Sequence, residues 1–192
     1  MSAELFPLFL KLAGRRVVLV GGGRVAASRL RLLLGTGARV LVVAPDVHPE
    51  IAASGAEVAR RPFAASDLDG AWLAVAAAVP PVNREVAVAA EARRIFVNTV
   101  DDPEQASAYA AGVLRRGGVT VAVSTGGRAP ALAGLLREAL DAVLPEDAAE
   151  WVAAAQDLRL RQRAEGVAFG ERRPLLLRAL NRLYEAPARS GP

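Results

Sequence analysis

The stretch Val17-Val18-Leu19-Val20-Gly21-Gly22-Gly23-Arg24-Val25-Ala26-Ala27 constrains the fold more than any other part of the chain. Four consecutive apolar residues suit a strand covered on both faces, and the alanine-rich segment behind the glycines suits a helix. Three glycines between them make a tight turn. Gly21, Gly23 and Ala26 fit G-x-G-x-x-G/A, the spacing with which a strand–turn–helix unit binds a dinucleotide. The first glycine permits the turn, the second lets backbone approach a pyrophosphate, and the third small residue lets helix and strand pack closely. N–H groups at the helix start then hold the anion, helped by the helix dipole.

The rest of the first half repeats the alternation. Strand one is Arg16–Val20, and its helix ends at Gly35 and Gly37. Arg39–Ala44 reads as a second, almost wholly apolar strand stopped by Pro45. A short helix opens at His48-Pro49-Glu50, with Glu57–Arg60, Trp72–Ala78 and Ile95–Val100 as further strands and Asn83–Arg94 as a helix. Strand–helix alternation predicts an open parallel sheet with right-handed crossovers, an α/β fold of Rossmann type. Ligands on such sheets lie outside the carboxyl ends of the strands, so Gly21, Pro45, Ala78 and Asp101 should face one crevice. After about residue 112 the pattern changes. Val119–Ser124 is one more strand. An amphipathic helix follows with Leu132, Leu135, Leu136, Leu140 and Val143 on one face, ending at Pro145. Two helices come next, 147–163 and 174–184, with Pro174 suited to a first helical position. The apolar opening, 1–12, should pack on the sheet, and 186–192 reads as a disordered tail.

Composition excludes several classes. At 192 residues and 53% hydrophobic content the chain can bury a real core and is not disordered. No apolar run reaches the roughly 18 residues of a membrane span, and the N-terminus does not read as a signal peptide. The plain expectation is a cytoplasmic protein without a membrane partner. Without cysteine there is no thiolate metal site and no cysteine nucleophile, and His48, the single histidine, is poor material for zinc. No metal site is expected. The formal charge of +4 comes from residues 151–192, which carry eight arginines against four acids. Those arginines fall at helical spacing without interleaved aromatics, so nucleic acid is not expected as a partner, and a polyanionic small molecule is an equally good electrostatic match.

Three further groups carry possible chemistry. Asp46 follows strand two, where an acid holds the ribose hydroxyls of NAD, while Arg24 is a competing signal for the extra phosphate of NADP. Asp101 ends strand five beside the expected crevice. Its pairing with Asp102 can raise one pKa toward proton-transfer range, yet Asp101-Asp102-Pro103 can equally be a turn or cap. Ser124-Thr125-Gly126-Gly127-Arg128 joins a strand to a helix. It reads either as an anion grip with Arg128 as bidentate donor or as an ordinary N-cap.

Several separated motifs occur in order: Phe6-Pro7-Leu8-Phe9, Gly21-Gly22-Gly23-Arg24-Val25-Ala26, Val43-Ala44-Pro45, Arg61-Pro62-Phe63 and Asp69-Gly70-Ala71-Trp72. Val97-Asn98-Thr99-Val100-Asp101, Ser124-Thr125-Gly126-Gly127 and the helix from Ala131 to Glu138 complete the set. Together they resemble the precorrin-2 dehydrogenase family, which includes the N-terminal half of bifunctional siroheme synthase. The resemblance implies an NAD-binding Rossmann domain over residues 1–112, a dimerisation region over 113–145 and a small C-terminal helical domain over 146–192. It also implies a homodimer and NAD-dependent oxidation of precorrin-2, a polycarboxylate tetrapyrrole, to sirohydrochlorin in siroheme synthesis. The family's essential aspartate aligns with Asp101. Cofactor contacts carry over to Gly21, Gly22, Gly23, Arg24, Val25, Pro45, Asp46, Ala77 and Ala78, and substrate contacts to Asn98, Ser124, Thr125, Gly126 and Arg128.

This chain departs from the family pattern twice. Where relatives read Ala-Ala-Thr-Asp-Asp after strand four, it has Ala76-Ala77-Ala78-Val79-Pro80-Pro81, without the hydroxyl and both carboxylates. Where they have an aromatic–aliphatic–Pro sequence, it has Ala108-Tyr109-Ala110-Ala111. Alternatives to the dehydrogenase are a sirohydrochlorin ferrochelatase and a dinucleotide- or tetrapyrrole-binding module without catalysis.

Overall fold

The computed structural model describes residues 4–100 and 102–185. Asp101 and the tail 186–192 lie outside the described residues. Contacts divide the chain into two units, one made of residues 1–110 with 126–128, the other of 111–125 with 129–192.

In the first unit five parallel strands run in the order β3-β2-β1-β4-β5: β1 (Arg16–Val20), β2 (Arg39–Val43), β3 (Glu57–Ala59), β4 (Leu73–Ala76) and β5 (Phe96–Thr99). Strand alternation splits their side chains between two cores. Val17, Leu19, Val40 and Val42 pack with Ala26, Ala27 and Leu30 of α1 (Arg24–Leu34) and Ile51 of α2 (Pro49–Ala52). On the opposite face Val18, Val20, Leu41 and Val43 pack with Val86, Ala87 and Ala90 of α3 (Pro80–Ala92) and with Leu68. Covering both faces explains why β1 and β2 read as unbroken apolar runs. Each fully buried Val or Leu here contributes about 1.5–3 kcal/mol. The chain order reverses between β1 and β4, so this sheet has its switch point, and its crevice, outside Val20 and Ala76.

The second unit holds an antiparallel hairpin, β6 (Gly112–Arg116) with β7 (Val119–Val123), on which α4 (Pro130–Val143) packs. The connecting Gly117 and Gly118 have φ of +54° and +83°. A Cβ on Gly117 would fall 2.3 Å from the Ala149 nitrogen, so only glycine lets this turn approach α5 (Ala148–Ala164). Arg116 reaches the last turn of α4, donating to the Asp141 carbonyl at 3.0 Å and also to the Asp141 carboxylate and the Leu144 carbonyl. The two backbone carbonyls are orphans of a helix end, and the guanidinium satisfies them. α5 packs on α6 (Phe169–Glu185).

The fold departs from the sequence expectation in four places. β6 was not expected. α3 begins at Pro80 rather than Asn83, because Pro80 and Pro81 fill first-turn positions that need no N–H. α6 begins at Phe169, so Pro174 lies inside the helix rather than at its start. The turn before it is pinned by Arg172, whose guanidinium donates twice to the Val167 carbonyl at 3.1 and 3.0 Å. Finally, of the described residues of the apolar opening only Leu12 enters the core, while Leu5, Phe6, Leu8, Phe9 and Leu10 are exposed on the single chain. Among the described residues no helix is long and apolar enough to cross a membrane.

Candidate dinucleotide site

A crevice of about 500 Å³ opens at the carboxyl ends of β1, β2 and β4. Gly21, Gly22 and Gly23 form its floor. Gly21 has φ +128°, and a Cβ there would meet the Ala77 carbonyl oxygen at 2.2 Å. Around Gly23 a Cβ would meet nothing within 4 Å, so this glycine faces open crevice. Gly23 is the N-cap of α1. Among the described residues no side chain caps that helix, and its first turn has no acid. The first N–H groups of α1 are thus left to an external anion at the positive end of the helix dipole.

The walls come from the neighbouring loops. Pro45 and Asp46 follow β2, and Ala77 and Ala78 follow β4; all four line the crevice. Ala78 N–H donates to the buried Asn83 Oδ1 at 2.9 Å, which ties this loop to α3. Pro62 and Phe63 form one apolar side, with Val79 and Val82 also lining the space. The lining includes two carboxylates, Asp46 and Glu85, and no arginine or lysine among the described residues. An NAD pyrophosphate and ribose fit this donor set: bare amides for the diphosphate, an acid past β2 for the hydroxyls, apolar surface for the purine.

Arg24 and Val25 stand apart from this lining. Arg24 borders a second, polar recess with Ser28, Arg31, His48 and Glu50, in which Arg31 and Glu50 pair at 2.7 Å. His48 caps α2 by accepting from Glu50 N–H at 3.4 Å, as a surface helix start would.

At the other sheet edge Asp102 settles part of the Asp-Asp-Pro ambiguity, since its Oδ1 accepts from Gln105 N–H and caps a 3-10 turn. Asn98 donates to the Ala108 carbonyl at 3.0 Å. Gly126 and Gly127 have φ of +63° and +75°, and a Cβ on Gly127 would press on Pro103 and on Tyr109, whose hydroxyl donates to the Pro103 carbonyl. Ser124 follows β7, and Thr125 Oγ1 accepts from Ala129 N–H at 3.1 Å as α4 begins. Arg128 precedes that helix. Among the described residues no cluster of three or more His, Cys, Asp or Glu could hold a metal.

Sequence reasoning missed Asn83 and the pair Arg61–Asp67, which brackets Pro62 and Phe63 in the chain. The Arg61-Pro62-Phe63 triplet was the available signal.

Sheet order, switch point and glycine floor together define a Rossmann-type dinucleotide-binding protein. A family model described as putative NAD(P)-binding matches residues 8–111, and one described as sirohaem biosynthesis protein central matches 116–142. The chain belongs to this family of NAD(P)-binding sirohaem-biosynthesis proteins, the one its ordered motifs resemble. It is 44% identical over 193 residues to siroheme synthase 3 of Aeromonas hydrophila, covering 97% of the chain and 41% of that protein. To siroheme synthase 2 of Klebsiella pneumoniae it is 43% identical over 172 residues, 87% of the chain and 38% of that protein. The chain thus spans about two fifths of the length of these relatives. Among solved structures SirC, a precorrin-2 dehydrogenase, superposes with a TM-score of 0.70 at 27% identity, covering 91% of this chain and 88% of that one.

Proposed function

We propose that this protein is an NAD-dependent precorrin-2 dehydrogenase that forms sirohydrochlorin. The observation that carries the reading is the likeness to SirC over most of both chains, joined to a crevice whose glycine floor suits a diphosphate. Bound NAD supplies a hydride acceptor. The amides at the start of α1 hold its pyrophosphate, and Asp46 takes the ribose hydroxyls. With Asp46 and Glu85 among the described residues of its lining, the crevice favours NAD over NADP. Asp101, ionised, accepts the proton released as the macrocycle loses its hydride, so each turnover yields one NADH and one proton. Asn98, Ser124, Thr125, Gly126 and Arg128 serve the substrate's carboxylates, with the arginine excess of residues 151–192 suiting the same polyanion rather than nucleic acid.

We assign residues 1–112 to cofactor binding, 113–145 to dimerisation and 146–192 to a helical domain. Exposed Leu132, Leu135, Leu136 and Leu140 on α4, and Phe6 and Phe9 near the N-terminus, favour a homodimer, since apolar surface of this extent calls for cover. The setting proposed is the cytoplasm, without a membrane partner. The relatives' name, siroheme synthase, favours a second activity, iron insertion into sirohydrochlorin. Anaerobic incubation with precorrin-2 and NAD tests the main reading: NADH and sirohydrochlorin should form in equal amounts. Iron insertion without NAD and no NADH formation would favour the second reading.

A further inference from the structure

Pro62 and Phe63 lie in a segment between β3 and a 3-10 turn, Ala65–Leu68, that no strand pairing holds. Asp67 fixes it instead. Its side chain is only 5% exposed and accepts from Arg61 Nη1 at 2.8 Å, from Arg61 Nη2 and from Ala64 N–H at 2.9 Å. Arg61 Nη1 also donates to the Pro62 carbonyl at 3.0 Å, and Arg16 donates to the Asp67 carbonyl at 3.2 Å. These bonds close a ring around the two wall residues. The fork-to-carboxylate geometry is directional, so it fixes the wall's position as well as its presence.

The wall also has a definite place along a dinucleotide. Pro62 and Phe63 follow β3, beyond the ribose-binding acid after β2, and so lie on the adenine side of the pyrophosphate. A purine is planar and apolar-faced, the kind of group that packs on an aromatic and a proline ring.

We infer that Arg61 and Asp67 are a positioning pair that holds the Pro62–Phe63 wall against the adenine of the cofactor. The inference rests on the dinucleotide reading of the crevice and adds the residues that set affinity for one half of the nucleotide. Neither residue takes part in the reaction.

Titration calorimetry of the full chain with NAD and with AMP, beside steady-state kinetics, tests it. Arg61→Gln changes the half-exposed member and leaves Asp67 its bond to Ala64. It should weaken NAD and AMP in parallel by about tenfold, while kcat and the KM for precorrin-2 stay within about twofold. Arg61→Lys keeps the charge without the fork and should recover part of the loss. A pair that only stabilised the fold would give a lower melting temperature with unchanged AMP affinity, which overturns the inference. Asp67→Asn, if it folds, should repeat the Arg61→Gln pattern. A parent chain that binds no NAD would overturn the reading of the crevice itself, and the inference with it. A parent that binds NAD while Arg61→Gln binds equally well would overturn the inference alone. The binding measurements decide without turnover.

Discussion

A Cβ on Gly22 would stand 1.7 Å from the carbonyl oxygen of Asp46, so the loops after β1 and β2 touch backbone to backbone. His48 N–H donates to the Gly22 carbonyl at 2.7 Å and fastens the same contact. Gly22 therefore serves the protein, whereas Gly23, with open space around it, serves the ligand. Gly22→Ala should cost about 1–3 kcal/mol or more of stability by overpacking. Gly23→Ala should stay within about 1 kcal/mol of the parent yet bind NAD at least about tenfold more weakly. Denaturant melts beside NAD titrations separate the two; equal NAD affinity in Gly23→Ala would count against the glycine floor as the diphosphate site.

The Arg61 guanidinium, chiefly through its hydrogen bonds, and Ala64 N–H hold the Asp67 carboxyl below the ordinary aspartate value, against the opposing effect of burial. A depressed carboxyl contributes stability above its unfolded pKa of about 3.9 that is lost as pH falls through the folded value. Asp67→Asn should therefore be less stable than the parent at neutral pH by about 2 kcal/mol, below the full cost of breaking a buried pair because Arg61 is half open to water. The gap should narrow as pH falls from neutral through the folded value. Urea melts from neutral to acid pH check this, and a constant gap would contradict it.

Asp101→Asn keeps the side chain's shape and removes its capacity to accept a proton. NAD binding should match the parent while kcat falls by about 100-fold or more. Single-turnover NADH formation reads the step, and near-parental rates would remove Asp101 from the chemistry.

Asp46 sets nucleotide choice in the proposed site. A carboxylate there accepts hydroxyls and repels a phosphate, so the parent should prefer NAD, and Asp46→Ala should narrow the ratio of kcat/KM between NAD and NADP by about tenfold. An unchanged ratio would assign the choice elsewhere.

Leu136 on α4 is exposed on the single chain. If that face covers a second copy, Leu136→Glu should shift the protein from dimer to monomer in light scattering, because a charge buried in an apolar interface costs several kcal/mol, about 3 or more. A parent that is already monomeric would contradict the dimer.

Much of the first unit was legible in the sequence because parallel strands covered on both faces leave unbroken runs such as Val17–Val20 and Val40–Val43. Glycines at a strand–helix junction likewise announced the crevice. The strand β6 was not legible. Val113 and Leu114 are its only large apolar residues, followed by Arg115 and Arg116, although the Gly117-Gly118 turn was a hairpin signal. Local pattern also misplaced the start of α6, since the turn before Pro174 is held by Arg172 bonding back to the Val167 carbonyl five residues earlier rather than by helix propensity. Within the site, position after a strand end was readable, as at Asp46 and Ala78. Asn83 and Asp67 were not, because each acts through a contact whose partner only the fold supplies. Exposure of Leu5 to Leu10 was hidden for a similar reason: apolar sequence says that a surface needs cover, not which surface provides it.

Backbone amide hydrogen exchange with and without NAD tests the central claim most directly. The account predicts slowed exchange at residues 23–26, at the start of α1, with further slowing at Asp46 and across 77–79. Protection confined to the second unit, or none at the start of α1 under saturating NAD, would contradict it.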